Sequence, residues 1–212
     1  MIPADRRAPF FRKGWVRVKN DSGAEIPPHS VVLITGSESV DGETVYTVVQ
    51  PNAASTDFNW NGYLITGPFL IGATDGDEGI ATTATESALA RFDTGSPALK
   101  DVYGPKHGQL TLSKGYHGFE VIGSTTTSAG YSVVPVRWIG VNEVLIKNET
   151  GSSIAAGSSG TFNVYIGTAG SETDSGMDLT CYNRSSVSFA TAKFGAAGRL
   201  NGSSVYGIPW QT

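Results

Sequence analysis

The sequence has little cysteine and few charged residues. Cys181 is the single cysteine, and Asp, Glu, Lys and Arg together make up 16% of the 212 residues. One thiol excludes an internal disulfide and a zinc site built from several cysteines. No apolar run approaches the roughly 18 residues that a membrane-spanning helix requires, and residues 1–13 lack the apolar core of a signal peptide. We therefore expect no membrane segment.

Short β-branched and aromatic runs dominate what is present, and turn-forming residues separate them. Such runs at spacings of about ten residues are typical of barrels and sandwiches. Only Glu86 to Phe92 has a helical pattern, and its seven residues fit a strand equally well. The sequence thus predicts an all-β protein. The predicted strands are Trp15–Lys19, Val31–Ile34, Val45–Val49, Tyr63–Ile71, Gln109–Leu112, Phe119–Ile122, Ser132–Trp138, Glu143–Ile146 and Phe162–Ile166.

One segment is repeated within the chain. Residues 18–26, VKNDSGAEI, align without a gap with residues 146–154, IKNETGSSI, and a weaker third copy begins at Tyr182. Each copy is a strand, an Asx-type turn, a glycine suited to positive φ and an apolar plug. Duplication and convergent turn chemistry both explain the match. We predict structural turns at Asn20, Gly23, Asn148 and Gly151, with positive φ at both glycines.

The repeat also suggests three parts for the chain. Its second copy places a boundary near Gly140. We expect an extended basic arm at residues 1–13, a barrel or sandwich body at 14–140 and a smaller C-terminal β-module at 141–212.

Charge is unevenly distributed along the chain. Residues 1–20 carry a net charge of +5, so the rest carries −9. A solvated terminus, a nucleic-acid contact and an arm on an acidic partner protein all fit this pattern. The overall pI of 5.3 argues against nucleic acid. We expect the arm to dock on a partner protein through Arg6, Arg7, Arg12 and Lys13.

Several segments resemble virion structural proteins of tailed bacteriophages. They are residues 18–28, 63–69, 104–123 and the closing segment from 178–185 to 200–202, which together cover about half of the chain. The resemblance implies a decoration, cement or minor capsid protein, or a component of the neck or tail. It carries over no catalytic residues.

The usual catalytic motifs are missing from the sequence. It has no nucleophile elbow, phosphate-binding loop, dinucleotide fingerprint or His-Glu-x-x-His pair. His107 and His117 lie ten residues apart with His29 remote, which does not indicate a metal site. The acidic turn at Asp75 and Asp77 lacks the ligand spacing of a calcium loop. We expect no enzyme activity, no cofactor and no metal, although a glycosidase carboxylate pair is not excluded by spacing.

Two further features concern aromatic and sulfur side chains. Trp15, Trp60, Trp138 and Trp210 could form a platform for a sugar, but in an all-β chain they more often fill the core. Cys181 shares one strand face with Leu179, so we expect a buried, unreactive thiol.

The sequence and the resemblance together predict a binding protein of the virion, assembled in the cytoplasm of the bacterial host. Its expected partners are the major capsid protein or other virion proteins, with neither nucleic acid nor membrane bound. A homo-oligomer is expected, and a trimer is favoured because it would combine weak docking sites. The alternative is a neck or tail appendage that contacts a host glycan.

Overall fold

A computed structural model of the chain describes residues 14–51, 62–74, 76–116, 118–140, 143–167, 170–200 and 204–209. These residues form sixteen strands and no helix, which confirms the predicted all-β class. The part of the chain that is described therefore offers no helix to cross a membrane. The strands make two closed five-stranded barrels with a six-stranded sheet between them along the chain.

The first barrel contains β1 to β5. Strand β1 pairs in parallel with β3 and antiparallel with β5, which closes the barrel. Asp41 and Gly42 join β2 to β3 with φ of 54° and 80°, as the two-residue turns that match strand twist require. The strands are β1 (Trp15–Asn20), β2 (Val31–Val40), β3 (Glu43–Val49), β4 (Tyr63–Thr66) and β5 (Glu78–Thr82).

The predicted strand Tyr63–Ile71 is shorter than expected, since β4 ends at Thr66. Gly67 and Pro68 follow it, and proline cannot donate a backbone hydrogen bond to a neighbouring strand. Ile71 still makes an isolated bridge to Ile26.

The central sheet contains β6 to β11. Its longest strand, β11, pairs with β6, β9 and β10 along its length. The segment Glu86–Phe92 contributes a strand, β6, rather than a helix. The strands are β6 (Ala88–Arg91), β7 (Val102–Pro105), β8 (Leu112–Lys114), β9 (Phe119–Val121), β10 (Thr126–Ser128) and β11 (Tyr131–Trp138).

The last barrel contains β12 to β16. Strand β12 closes it by pairing with both β13 and β15. Leu179 and Cys181 are buried on one face of β14 while Thr180 and Tyr182 are exposed on the other, as the alternation predicts. The strands are β12 (Glu143–Lys147), β13 (Ser159–Ile166), β14 (Thr173–Asn183), β15 (Phe194–Leu200) and β16 (Ser204–Pro209).

The interior of the first barrel holds its own core, which includes Val18 and Leu64. A second core lies between the outer face of this barrel and the central sheet. Val31 and Ile65, on the outer face of the barrel, pack in the same cluster as Tyr103 and Phe119 of the sheet. The last barrel has its own core, to which Tyr116 and Trp138 of the central sheet contribute. The predicted boundary near residue 140 lies between Trp138, which ends β11, and Glu143, which begins β12.

The repeated segment has the same hydrogen bonds in all three copies. Asn20, Asn148 and Asn183 are buried, and each accepts hydrogen bonds from the backbone N–H and the hydroxyl of the Ser or Thr two residues later. Each side-chain amide donates to the carbonyl four residues on. The third copy, weak in sequence, therefore makes the same asparagine hydrogen bonds, although Ser186 at the glycine position lacks the positive φ of the other two copies.

The two barrels correspond well beyond this turn. Ile26 pairs with Ile71 in the first barrel, and Ile154 pairs with Phe189 in the last, each pair through two backbone hydrogen bonds. Gly79 and Gly195 are the partners of Val18 and Ile146 on the closing strands. A Cβ on Gly79 would lie 2.5 Å from the Ile71 side chain, and one on Gly195 would lie 2.6 Å from Phe189. The absence of a side chain at each glycine therefore leaves space for Ile71 in the first barrel and Phe189 in the last.

The barrels differ in the position of one strand. In the first, β3 lies between β1 and β2; in the last, β16 lies between β14 and β15. The remaining four strands keep their order and register, with Val31 opposite Ile65 and Ser159 opposite Tyr182. The shared strands are consistent with an internal duplication, and the fifth strand comes from a different place in the chain in each barrel.

Candidate functional site

The arm residues Arg6, Arg7, Arg12 and Lys13 lie outside the residues that the structure describes. What the structure fixes is the point from which the arm departs. Gly14, with φ of 90°, immediately precedes β1, whose side chains form part of a closed barrel. A closed barrel therefore holds the residue from which the basic segment extends.

The four predicted structural-turn residues lie where the repeat requires them. Gly23 and Gly151 have φ of 67° and 78°, which confirms the expected conformation. Asn20 and Asn148 close the turns from within the barrels. Because Asn20 is 1% exposed and Asn148 fully buried, these side chains stabilise the fold and offer no contact to a ligand.

An apolar groove lies on the outer surface of the first barrel beside β1. Phe69 and Leu70 are 67% and 51% exposed, on the loop that connects β4 to β5. Together with Gly67, Gly79, Ile80 and Glu78 they line a cleft of about 350 Å³. Neighbouring exposed apolar side chains of this kind mark contact surfaces more often than isolated ones do. We call this cleft the Phe69 groove.

The Phe69 groove is not predicted by the sequence pattern, which places Phe69 in the long strand Tyr63–Ile71 and Ile80 in no element. The Gly67–Pro68 dipeptide was the available signal, because it ends β4 and turns the next two apolar residues outward.

A second cleft, of about 310 Å³, lies between the first barrel and the central sheet. Trp15, His29, Thr66 and Ser128 are among its lining residues. Nε2 of His29 lies 2.8 Å from Oγ of Ser128, a hydrogen bond that joins the barrel to β10. We call it the His29 cleft.

His29 has an unusual backbone and a perturbed imidazole. Its φ is 59°, and the equivalent residue of the last barrel is Gly157, with φ of 75°. Burial lowers the pKa of the imidazole below its ordinary value of 6.5, and the positive charge of Arg91 lowers it further. A backbone hydrogen bond involving Leu89 acts in the opposite direction. The neutral ring therefore links the barrel to two strands of the sheet.

Arg91 supports the same junction. Its backbone N–H donates to the carbonyl of His29, and its guanidinium lies 4.4 Å from the ring centroid of Tyr131. Nη1 of Arg91 is also 3.4 Å from Oγ of Ser30. These contacts fix the wall of the His29 cleft.

The sequence allows the tryptophans to be core residues or a platform for a sugar, and the structure places two of them. Trp138 packs against both cores and meets Phe119 edge to face at 4.8 Å between ring centroids, so it is a core residue. Trp15 is half-buried at the His29 cleft. Trp60 and Trp210 lie outside the described residues.

Within the described ranges, no three His, Cys, Asp or Glu side chains come together as metal ligands. His117 and Asp75 lie outside those ranges. His29 and His107 are placed, and His29 is held by Ser128 as described above.

The chain was compared with known families, curated proteins and solved structures. No family model, no curated protein and no solved structure matches this chain.

Proposed function

We propose that this chain is a structural protein of a tailed-bacteriophage virion that binds the capsid surface and stabilises the shell. The observation that carries the proposal is the separation of charge: residues 1–13 carry a net +3 and the remaining chain −7. A basic segment that extends from an acidic body can contact an acidic partner through its own positive charge. The resemblance of residues 104–123 to virion proteins suggests that the acidic partner is another protein of the virion.

The work of such a protein is binding. A molecule that bridges neighbouring subunits lowers the free energy of the assembled shell relative to its parts. The two barrels suit this role because closed barrels have no free strand edges. The partner would be the major capsid protein or another virion protein, bound by a homo-oligomer, with a trimer favoured.

The test is quantitative mass spectrometry of purified particles, combined with docking measurements on arm variants. Hundreds of copies per particle support a shell protein, and a dozen or fewer contradict it. Arg6→Gln with Arg7→Gln should weaken docking in a salt-sensitive manner. Arg184→Gln with Lys100→Gln, which removes the same charge from exposed positions on the body, should leave docking unchanged. Equal docking by both double variants would contradict the role of the arm.

A second candidate is a neck or tail appendage that contacts a host glycan. The His29 cleft favours it, because Trp15 provides an aromatic face and Ser87 and Ser128 provide hydroxyls beside it. This candidate predicts a low copy number. It also predicts that Trp15→Ala abolishes binding to a polysaccharide of the host surface in calorimetry, whereas Trp138→Phe does not.

A further inference from the structure

The Phe69 groove has the shape of a site for apolar side chains. Phe69, Leu70 and Ile80 form its walls, and Gly67 leaves space between them. A Cβ on Gly67 would lie 2.8 Å from Cγ1 of Ile80 and 3.3 Å from Cζ3 of Trp15. The groove thus adjoins the first residues of β1.

The basic arm enters β1, the strand next to β5, which carries Ile80 of the groove. Trp15 pairs with Thr82 of β5, and Arg17 pairs with Ile80, so Ile80 lies two positions along the strand from Trp15. That is roughly 7 Å at strand spacing. Phe10 and Phe11 precede Gly14 by four and three residues, which is a reach of roughly 10 to 14 Å.

Gly14 permits the chain to turn back toward the groove. To lie over Ile80, the arm must run against the direction in which it enters β1. The φ of 90° at Gly14 is a conformation that glycine adopts without a steric penalty and that bends the chain out of the strand.

The charge beside the groove complements Arg12 and Lys13. Glu78 and Glu43 both pair with the single guanidinium of Arg17, at 2.5 and 3.2 Å. Their side chains remain 43% and 55% exposed. Two carboxylates that share one cation leave an excess negative charge next to the arm's root.

We infer that residues 10–13 dock on the Phe69 groove of the same chain, with the two phenylalanines in the groove and Arg12 and Lys13 beside Glu78 and Glu43. Tethering favours the molecule's own arm over that of a second copy, because a short tether gives an effective concentration in the millimolar range. With Arg12 and Lys13 paired within the chain, only Arg6 and Arg7 of the four basic residues expected to meet a partner remain free to do so. The inference does not depend on the proposed virion role.

Disulfide trapping in the full-length protein tests the inference. Phe11→Cys with Leu70→Cys should form an intramolecular disulfide in at least tenfold greater yield than Phe11→Cys with Leu99→Cys. Leu99 is a matched control because it is 65% exposed and lies on the loop between β6 and β7. The native Cys181 does not compete, since it is buried.

A dye-binding measurement provides an independent readout. Phe10→Ser with Phe11→Ser should raise binding of an apolar fluorescent dye several-fold, and adding Leu70→Asp should remove the increase. Equal disulfide yields at Leu70 and Leu99, or unchanged dye binding, would overturn the inference. Disulfide-linked dimers as the main product would also overturn it, because the groove would then hold the arm of a second copy. All of these measurements use the isolated protein, so their failure is distinguishable from failure of capsid docking.

Discussion

Asn20 and Asn148, 128 positions apart in the chain, use the same side-chain atoms to close the same turn. Each carbonyl oxygen accepts two hydrogen bonds from the residue two positions on, and each amide also donates across the barrel, to Gly72 or to Phe189. Burying an amide costs little stability when every polar atom is hydrogen-bonded. Removing the amide leaves its buried partners unsatisfied, which lowers the free energy of unfolding. Each asparagine therefore joins the turn after the first strand of its barrel to a loop on the opposite side.

Asn148→Ala should destabilise the protein by about 2–4 kcal/mol, because it leaves buried backbone groups without their partners. Asn163→Ala is the control, since Asn163 is half-buried and makes one side-chain hydrogen bond of 3.4 Å to Asp174. Urea denaturation measures both. Equal losses would contradict the structural role of Asn148.

Gly23→Val and Gly151→Val should each cost about 1 kcal/mol or more, because a β-branched residue is strained at positive φ. Nothing lies within 4 Å of an added Cβ at either position, so the cost comes from the backbone alone.

Ser186 offers the matched comparison for these glycines. It occupies the equivalent position of the third turn but is not among the non-glycine residues with positive φ. Ser186→Val should therefore change stability by much less, as thermal unfolding would show. A similar loss at Ser186 would exclude the backbone explanation.

Protonation of His29 should destabilise the junction between the first barrel and the central sheet. Its pKa is lowered below 6.5 in the folded state, so the unfolded chain binds the proton first as pH falls. Stability should therefore decrease as pH drops below 6.5 and through the lower folded pKa.

His29→Asn provides the comparison for this pH effect, because asparagine tolerates positive φ and does not titrate. Urea midpoints between pH 5 and pH 8 should show a smaller slope for the variant than for the native chain. Identical slopes would assign the pH dependence to other groups.

Cys181 should be unreactive in the folded protein. Burial raises the pKa of its thiol to about 12, and its sulfur lies 2.8 Å from where a Cβ on Gly207 would be. A thiol reagent should label the native chain only as fast as it unfolds. Cys181→Ser should cost about 1–2 kcal/mol, the scale of placing a hydroxyl in an apolar site.

We expect the same thiol to make the folded protein less stable at alkaline pH. The unfolded thiol ionises near pH 9 and the folded one near pH 12, so its contribution is intact below pH 9 and is lost between these values. Cys181→Ala should lack this part of the pH dependence. Rapid labelling of the folded chain would contradict the burial of Cys181.

Local chemistry made several features predictable from the sequence. Alternation placed Leu179 and Cys181 on a buried strand face, and the glycines of the repeat were expected at positive φ because the turn needs it. These features depend on residues close together in the chain. The third turn was less visible, because Asn183 and Ser185 keep the hydrogen bonds while Ser186 replaces the glycine.

Tertiary structure decided which surfaces are covered. Val31 and Ile65 of the first barrel pack against the central sheet, whereas their counterparts Ser159 and Tyr182 in the last barrel are exposed. The sequence shows apolar residues in one copy and polar ones in the other, but not which element lies against them. The Phe69 groove and the His29 cleft were not predicted either, because each is formed by segments that are distant in the chain and meet only in the folded protein. The sequence by itself determined turns and strand faces, which depend on neighbouring residues; the sites required contacts between distant ones.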